Sequence, residues 1–505
     1  MEEHEPKAVG IQPAEAAEGA LDAALSGEVE EFRGGLRRAV PDEVRPAVEE
    51  AIGEWLGRLM RQKELVSDSA LDSLEAMIAF LDEKLSEQVN LILHHPQFQE
   101  LEATWRGLEH LVFGTEISED LKIRVLNLTK EEVSKQFAKF KGARWDKSDL
   151  FKKIYGPYNT PGGQPFGVLI GDFYFNHRPV DLDIMKGMGQ IAAASHAPFI
   201  AGAAPALLGQ DSWETIIEPA KLGDIVQGPQ WAGWRSFRQS PDARYVGLAL
   251  PRFLARLPYG PDNQVVGFAF AEDCDGSDHS KYLWANSSFA MGANITQAYK
   301  FYGWCSCIRG KKAGGEVSGL KVHTFESGGT TLMKCPTEIS IGEDRERELA
   351  GQGLMGLLHW QNTDTAAFLA APSVYQPKEF DDPDATANSR LNGSLPYLFA
   401  VSRFAHLIKV MVLESIGVFV GRGPATLEKW LNDWIVQFKC TAAEPSQEDM
   451  ARQPLADASV KVEEIPGEPG AYYATFHIKP IFQLERIETS LRLVTKLPRE
   501  KVAKG

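Results

Sequence analysis

The stretch FGVLIGDFYFNHRPVDLDIMKGMGQIAAASHAPFIAGA, residues 166–203, decides the fold. Two apolar runs, FGVLIGDFYF and PFIAGA, enclose a segment from Leu182 to Ser195 that reads as a helix. Strands that are apolar continuously, rather than at every second residue, are buried on both faces. A strand, a helix and a second such strand therefore predict a sheet covered on both sides. The uncharged run Ile191 to Gly209 raises the question of a membrane span, but Pro198, Pro205 and His196 interrupt it, so a buried helix followed by a core strand is expected instead.

The same alternation extends outward. KIRVLNL (122–128), YVGLALP (245–251) and VVGFAFA (265–271) read as further strands of an α/β body running from Lys122 to about Trp304. A second portion, to about Lys439, adds LKVHTF (320–325), TEISI (337–341) and two long helices, Pro396 to Ile416 and Ala425 to Phe438. The first of these helices is apolar nearly all round except for Ser402, Arg403, His406 and Lys409, which form a narrow basic stripe on a helix that must be largely buried. After it, ADASVKVEEI and AYYATFHIKP flank the turn PGEPG, and a third strand is expected near Glu488 to Leu497. Such a terminal meander often keeps an open edge able to receive a strand from another chain.

Before the body lie helices. Glu43 to Arg61 and Asp68 to Leu93 have helical periodicity, and the second carries Leu71, Leu74, Ile78, Leu81, Leu85 and Ile92 at spacings of three and four, broken at Gln88. Its residues leave two readings open: a bundle within the chain, or pairing with another chain. The next segment, HHPQFQELEATWRGLEHLV (94–112), opens with proline in its first turn and sets Phe98, Leu101, Trp105, Leu108 and Leu111 on one face, with its glutamates largely elsewhere. His94 and His95 point apart and His110 lies about four turns, roughly 20 Å, further on, so no metal ligand set is expected.

The 505 residues carry a formal charge of −16, which disfavours a nucleic-acid partner, since binding phosphate needs clustered Lys and Arg. The acidic, Ala-rich N-terminus lacks the pattern of a secretion signal. The five cysteines (Cys274, Cys305, Cys307, Cys335, Cys440) show neither a disulfide framework nor CxxC spacing, which fits a reducing compartment. GQGLMG, residues 351–356, matches the dinucleotide fingerprint in letters, yet the charged helical run EDRERELA precedes it where a strand is required. EDCDGSDH, residues 272–279, lacks the spacing of a calcium loop and reads as a solvated acidic loop. Asp172 and nearby His177 have no nucleophile, metal or phosphate cradle to join them, and Cys305 and Cys307 no base. No catalytic residue and no cofactor is expected; an α/β enzyme using Asp172, His177 or residues 272–279, and a solitary adaptor, are the competing readings.

Several long segments appear in a familiar order: LSEQVNLILHHPQFQELEATWRGLEHLV, LIGDFYFNHRP, HAPFIAGAAP, WRSFRQSPDARYVGLALPRFLARLPYGP, IRGKKAGGEVSGLKVHTFE, PTEISIGEDRERELAGQGLMGLLHW and LPYLFAVSRFAHLIKVMV. Over roughly residues 70–497 the chain resembles the large subunit of the type VI secretion contractile sheath, a phage-tail-like assembly. The resemblance implies a structural protein of the bacterial cytoplasm, not an enzyme. It implies pairing with a small sheath subunit, contacts with other copies in stacked six-membered rings, an inner tube of hexamers, a baseplate, and an AAA+ unfoldase that acts mainly through the small subunit. Contraction of such a sheath drives the tube, spike and effectors into a target cell. No membrane insertion is implied.

The expected architecture is thus α+β or α/β: residues 1–30 a mobile acidic arm, 31–114 a helical region pairing with the small subunit, 115–440 the mixed body with a possible split near 305, and 441–505 a C-terminal antiparallel β-meander. By analogy, Leu71, Leu74, Ile78, Leu81, Leu85, Phe98, Leu101, Trp105 and Leu108 are expected at the small-subunit interface. Val460, Val462, Tyr472, Phe476 and Ile478 are expected in strands exchanged between protomers, and Arg403, His406 and Lys409 against the inner tube.

Overall fold

A computed structural model describes residues 46, 70–214, 222–414, 423–465, 472–481 and 491–496, apart from single positions at 262, 266, 267, 269, 277 and 443. The helix expected over Glu43 to Arg61 and the N-terminal arm therefore lie outside the described residues, Pro46 excepted. The protein mixes helix and sheet, in two compact units. One comprises the described residues of 70–95 with those of 259–273, and the other those of 96–258 with 274–496.

The first unit holds helix α1, Ala70–Leu93, where the three-and-four spacing places it. The second begins with α2, Pro96–Phe113, followed by α3, Lys130–Lys139, and α4, Asp149–Asn159. Helix α3 starts at a capping box in which Thr129 and Glu132 satisfy each other's backbone N–H groups, a local signal of polar residues three apart. Then come β1 (Leu169–Phe175), α5 (Pro179–Ser195), β2 (Phe199–Ala203), α6 (Leu222–Val226), α7 (Ala232–Arg238), β3 (Val246–Leu250), β4 (Phe253–Leu254), β5 (Trp284–Ala285) and α8 (Ser287–Tyr302). Short strands β6 (Glu316–Val317), β7 (Thr324–Ser327) and β8 (Thr330–Met333) precede α9 (Glu343–Gly351), β9 (Leu354–His359) and β10 (Ala366–Phe368). The C-terminal part adds α10 (Pro383–Leu391), α11 (Leu395–Glu414), α12 (Pro424–Val436), α13 (Gln447–Arg452), β11 (Leu455–Glu464), β12 (Tyr472–Pro480) and β13 (Leu491–Lys496).

The central sheet has the order β1-β2-β3-β9-β10-β6. Its first four strands are parallel and its last two are antiparallel additions. The strands sort their side chains by the two-residue period. Phe199, Ala201, Val246, Leu248 and Leu250 join the core that includes Leu182, Met185 and Met188 of α5, while Ile200 and Ala249 join the one that includes Phe289, Met291 and Ile295 of α8. Both faces are covered, as continuous apolar strands require. A boundary near residue 305 would cut this sheet between β3 and β9; instead Leu248, Ala249 and Leu250 pair with Leu354, Met355 and Gly356, and no split falls there.

Two expected strands are not found among the described residues. Residues 122–128 are assigned to no strand: Ile123 and Leu128 pack against different cores, whereas Val125 and Leu126 are exposed, so the run has no single apolar face to pair. The described residues of 265–271 are likewise outside any strand. TEISI contributes only a bridge, Thr337 to Phe253. Conversely α8, which packs on β1, β2 and β3, gives no helical signal in the sequence because it is buried almost all round and so has no polar stripe to reveal its period.

The boundary of the helical region also moves. Helix α2 packs on α8 and belongs to the body. The approach is close at Gly107, where an added Cβ would stand 2.3 Å from the Phe289 ring. Replacing glycine by alanine inside an exposed helix stabilises by roughly 0.5–1 kcal/mol. Overpacking costs about 1–3 kcal/mol, so here it prevails. Gly107→Ala is expected to lower the melting temperature measured by circular dichroism, the opposite sign to a solvent-facing glycine.

Candidate assembly surfaces

Helix α1 is held at its C-terminal end within its own unit. Asn90 Oδ1 accepts from the Asp273 N–H at 3.0 Å, and His94 Nε2 meets Glu272 Oε1 at 3.2 Å. Glu272 also accepts from the Tyr259 N–H at 3.0 Å and is buried, which corrects the expectation of a solvated acidic loop at this residue. The apolar stripe is left facing outward: Ile78 is 56% exposed and Leu85 50%, with Ile92 exposed and Leu81 half-buried. Leu71 and Leu74 lie in the helix, but their side chains are outside the described residues.

Helix α2 has two neighbouring stripes that the sequence reading merged. One flank, with Gly107, Leu108 and Leu111, packs into the body. It is reinforced by Thr104, whose hydroxyl donates to Asp172 Oδ2 at 2.5 Å, and by Glu102 Oε1, 2.7 Å from Nε of Arg256. That ion pair is nearly dry, with side chains 13% and 8% exposed, so Glu102 is not on the wet side as expected. Arg106 Nε lies 3.6 Å from the same Glu102 oxygen, so the carboxylate sits between two guanidinium groups. The other flank keeps Leu101 57% and Trp105 64% exposed beside Phe98. Leu108 is therefore a packing residue, whereas Phe98, Leu101 and Trp105 are available. Gly107 was the signal in the sequence that separates the two: a glycine amid a helical run marks a close approach.

The C-terminal sheet has the order β11-β12-β13, antiparallel throughout. Val460 pairs with Phe476 within the chain. The side chains of Val460, Val462, Phe476 and Ile478 are buried in a core with Phe404, Leu427, Leu431 and Ile435, against which Tyr472 packs. The side chains of the first four residues thus serve the chain's own core, and Tyr472 is half-buried against it. The outer edge of β11 is closed as well. Asn432 of α12 donates to the Val460 carbonyl and accepts from its N–H, at 2.8 and 2.9 Å, and Glu428 accepts from the Val462 N–H at 2.9 Å. With Val460 turned away from β12, alternation directs the backbone of Arg492, Val494 and Lys496 in β13 outward. Among the described residues no strand pairs on that side.

The basic stripe on α11 does not form a surface. His406 is 3% exposed, its Nε2 bonded to the Ser195 carbonyl at 2.9 Å. Arg403 lies over the Tyr299 ring and Lys409 over the Tyr158 ring, both half-buried. Burial first, with minor contributions from His196 and Arg403, outweighs the Ser195 bond and lowers His406 to about 4. The expected inner-tube residue His406 is therefore turned into the chain's own interior. Helix α11 contains the one stretch, among the described residues, long and apolar enough to cross a membrane, and 67% of it is buried inside the protein.

The tempting chemical motifs dissolve into packing. Burial raises Asp172, opposed by bonds from Thr104 and Asn286. His177 instead meets the Ala206 carbonyl at 2.8 Å and the Trp231 ring. In GQGLMG a helix, α9, delivers the glycines to a strand, β9, the reverse of the order that cradles a pyrophosphate. Cys307 is buried, and burial pushes the Cys305 thiol up to about 12.

Two family models cover most of the chain: EvpB/VC_A0108, tail sheath N-terminal domain, over residues 75–375, and EvpB/VC_A0108, tail sheath gpW/gp25-like domain, over residues 384–497. The chain belongs to this tail sheath family. It is 50% identical over 480 residues to the type VI secretion system sheath protein TssC1 of Pseudomonas aeruginosa, covering 94% of this chain and 95% of that one. The family and this relative are sheath proteins. A chain of the anti-feeding prophage baseplate matches at a TM-score of 0.29 and 10% identity, over 56% of each chain, and carries no argument.

His406 sets a pH dependence whose sign is determined. Its folded value lies below the ordinary 6.5, so the unfolded chain binds the extra proton. The contribution is complete above pH 6.5 and is lost as pH falls toward about 4, to a limit of about 3 kcal/mol. Urea unfolding of wild type at pH 7 and pH 4.5 should show a larger loss of stability than His406→Gln, which retains a donor for the Ser195 carbonyl but does not titrate.

Proposed function

We propose that this chain is the large subunit of a type VI secretion sheath that pairs with a small sheath subunit through the exposed stripe of α1. The observation that carries the reading is that stripe, apolar at three-and-four spacing and left uncovered at Ile78, Leu85 and Ile92 in a chain of the sheath family. Large exposed apolar patches on soluble proteins mark interaction sites. Phe98, Leu101 and Trp105 of α2 supply a second exposed row for the same partner. The subunit pairs build six-membered rings stacked around an inner tube and set on a baseplate in the bacterial cytoplasm. Contraction follows from a metastable extended lattice whose contacts improve on shortening, with no nucleotide site needed in this chain. An AAA+ unfoldase recycles the contracted form through the small subunit.

Strand exchange between copies uses the outward edge of β13. Backbone ladders give such a joint its affinity and let rigid subunits rotate while the pairing persists.

Burying an apolar side chain contributes about 1.5–3 kcal/mol. A carboxylate in its place adds desolvation cost, so Ile78→Asp or Leu81→Asp should weaken co-purification with the small subunit about a thousandfold. Undiminished pairing in both would sink the interface. Val494→Pro removes an outward donor and leaves the inner ladder intact. Electron microscopy of co-expressed subunits should show hollow tubes for wild type and only paired subunits for Val494→Pro; normal tubes from that variant would remove β13 from the joint.

A further inference from the structure

We propose that Cys335 is a reactive thiol, activated by His359 and open to modification by small soft electrophiles such as hydroperoxides. Cys335 Sγ lies 3.5 Å from His359 Nδ1, and His359 Nε2 lies 2.8 Å from the Thr363 carbonyl oxygen. A carbonyl only accepts, so Nε2 carries the hydrogen and Nδ1 of the neutral ring must accept. The imidazole is therefore presented to sulfur as a base whose other nitrogen is held by a fixed acceptor, the arrangement that activates nucleophilic thiols.

The surroundings keep the pair in register. His359 ends β9, pinned by its pairing with Ala366, and is itself buried. Cys335 precedes Pro336, whose carbonyl accepts from Leu254 N–H, and Thr337, which bridges to Phe253. The Thr337 hydroxyl is 3.2 Å from the sulfur, but it also donates to the Ile339 carbonyl at 2.8 Å. One hydroxyl proton cannot serve both, so the imidazole is the decisive partner. Burial pushes the thiol up, and the bond and charge of His359, with help from the Thr337 backbone N–H, outweigh it, leaving Cys335 below its ordinary value. Burial lowers His359, and its bonds to Cys335 and the Thr363 carbonyl outweigh that, leaving it raised. Both directions favour a thiolate beside an imidazolium.

The other cysteines differ. Cys307 is buried, Cys305 is held protonated by burial, and the Cys274 thiol donates to the Lys281 carbonyl at 3.3 Å. Cys335 is half-buried, with Lys334 next to it. With a hydroperoxide, sulfur attacks the outer oxygen: the S–O bond forms as the O–O bond breaks. Sulfur gives up two electrons, the peroxide is reduced, and the leaving oxyanion takes the imidazolium proton to depart as water or alcohol.

The test is a brief pulse of iodoacetamide on the full-length chain at pH 7, with labelling at each cysteine followed by peptide mass spectrometry. An ordinary thiol is only a few per cent thiolate at this pH. A larger thiolate fraction speeds attack, and part of that gain is lost to lower intrinsic nucleophilicity, so Cys335 should label several-fold faster than Cys440. Its rate should also fall less steeply in wild type than in His359→Gln as pH drops from 8 to 6. His359→Gln should remove the advantage and leave the rate at Cys440 unchanged. Labelling of Cys335 no faster than Cys440 in wild type overturns the proposal by itself, and so does an undiminished rate in a folded His359→Gln chain.

Discussion

Strand β3 has no side that meets water. All five of its residues are buried, β2 and β9 pair with its two edges, and its side chains divide between the α5 core and the α8 core. Backbone groups so placed must find their partners in the ladder, because unpaired burial costs more than a hydrogen bond returns. Segments more than a hundred residues apart in sequence, β3 and β9, are thereby fixed side by side, and the helices on both faces take their positions from the sheet between them. The body is one structure because this strand cannot be satisfied by half of it.

Much of this was legible. Residues 166–203 read correctly as strand, helix and strand because apolar continuity and helical periodicity coincide with β1, α5 and β2. The long helices α11 and α12 and the three C-terminal strands were also legible, through periodicity and the PGEPG turn. What failed was any feature that depends on which neighbour a residue meets. The run at 122–128 has strand-like residues but no partner strand, and α8 lacks a polar face because both of its sides are taken.

The surfaces show the same limit more sharply. Periodicity identifies a stripe but not what covers it: on α1 the stripe is exposed, on α2 it divides between Leu108 inside and Trp105 outside, and on α11 the basic residues turn inward to aromatic rings and a carbonyl. The strand residues from Val460 to Ile478 were rightly placed in strands, yet their apolar side chains are consumed by the chain's own core. The pairing of Cys335 with His359 carried no sequence signal at all, since 24 residues separate them and neither lies in a recognisable motif.

Asn432 and Glu428 give the C-terminal sheet a valence of one. Side chains of α12 occupy outward groups of β11 at Val460 and Val462, so on the reading proposed above strands are added on the β13 side. A sheet with two receptive edges can stack without limit, the geometry of fibrils, whereas a sheet with one terminates after a single addition. Any assembly larger than one such joint must then recruit a different surface of the molecule. On that reading helix α12 acts as a chain stopper at the level of the sheet.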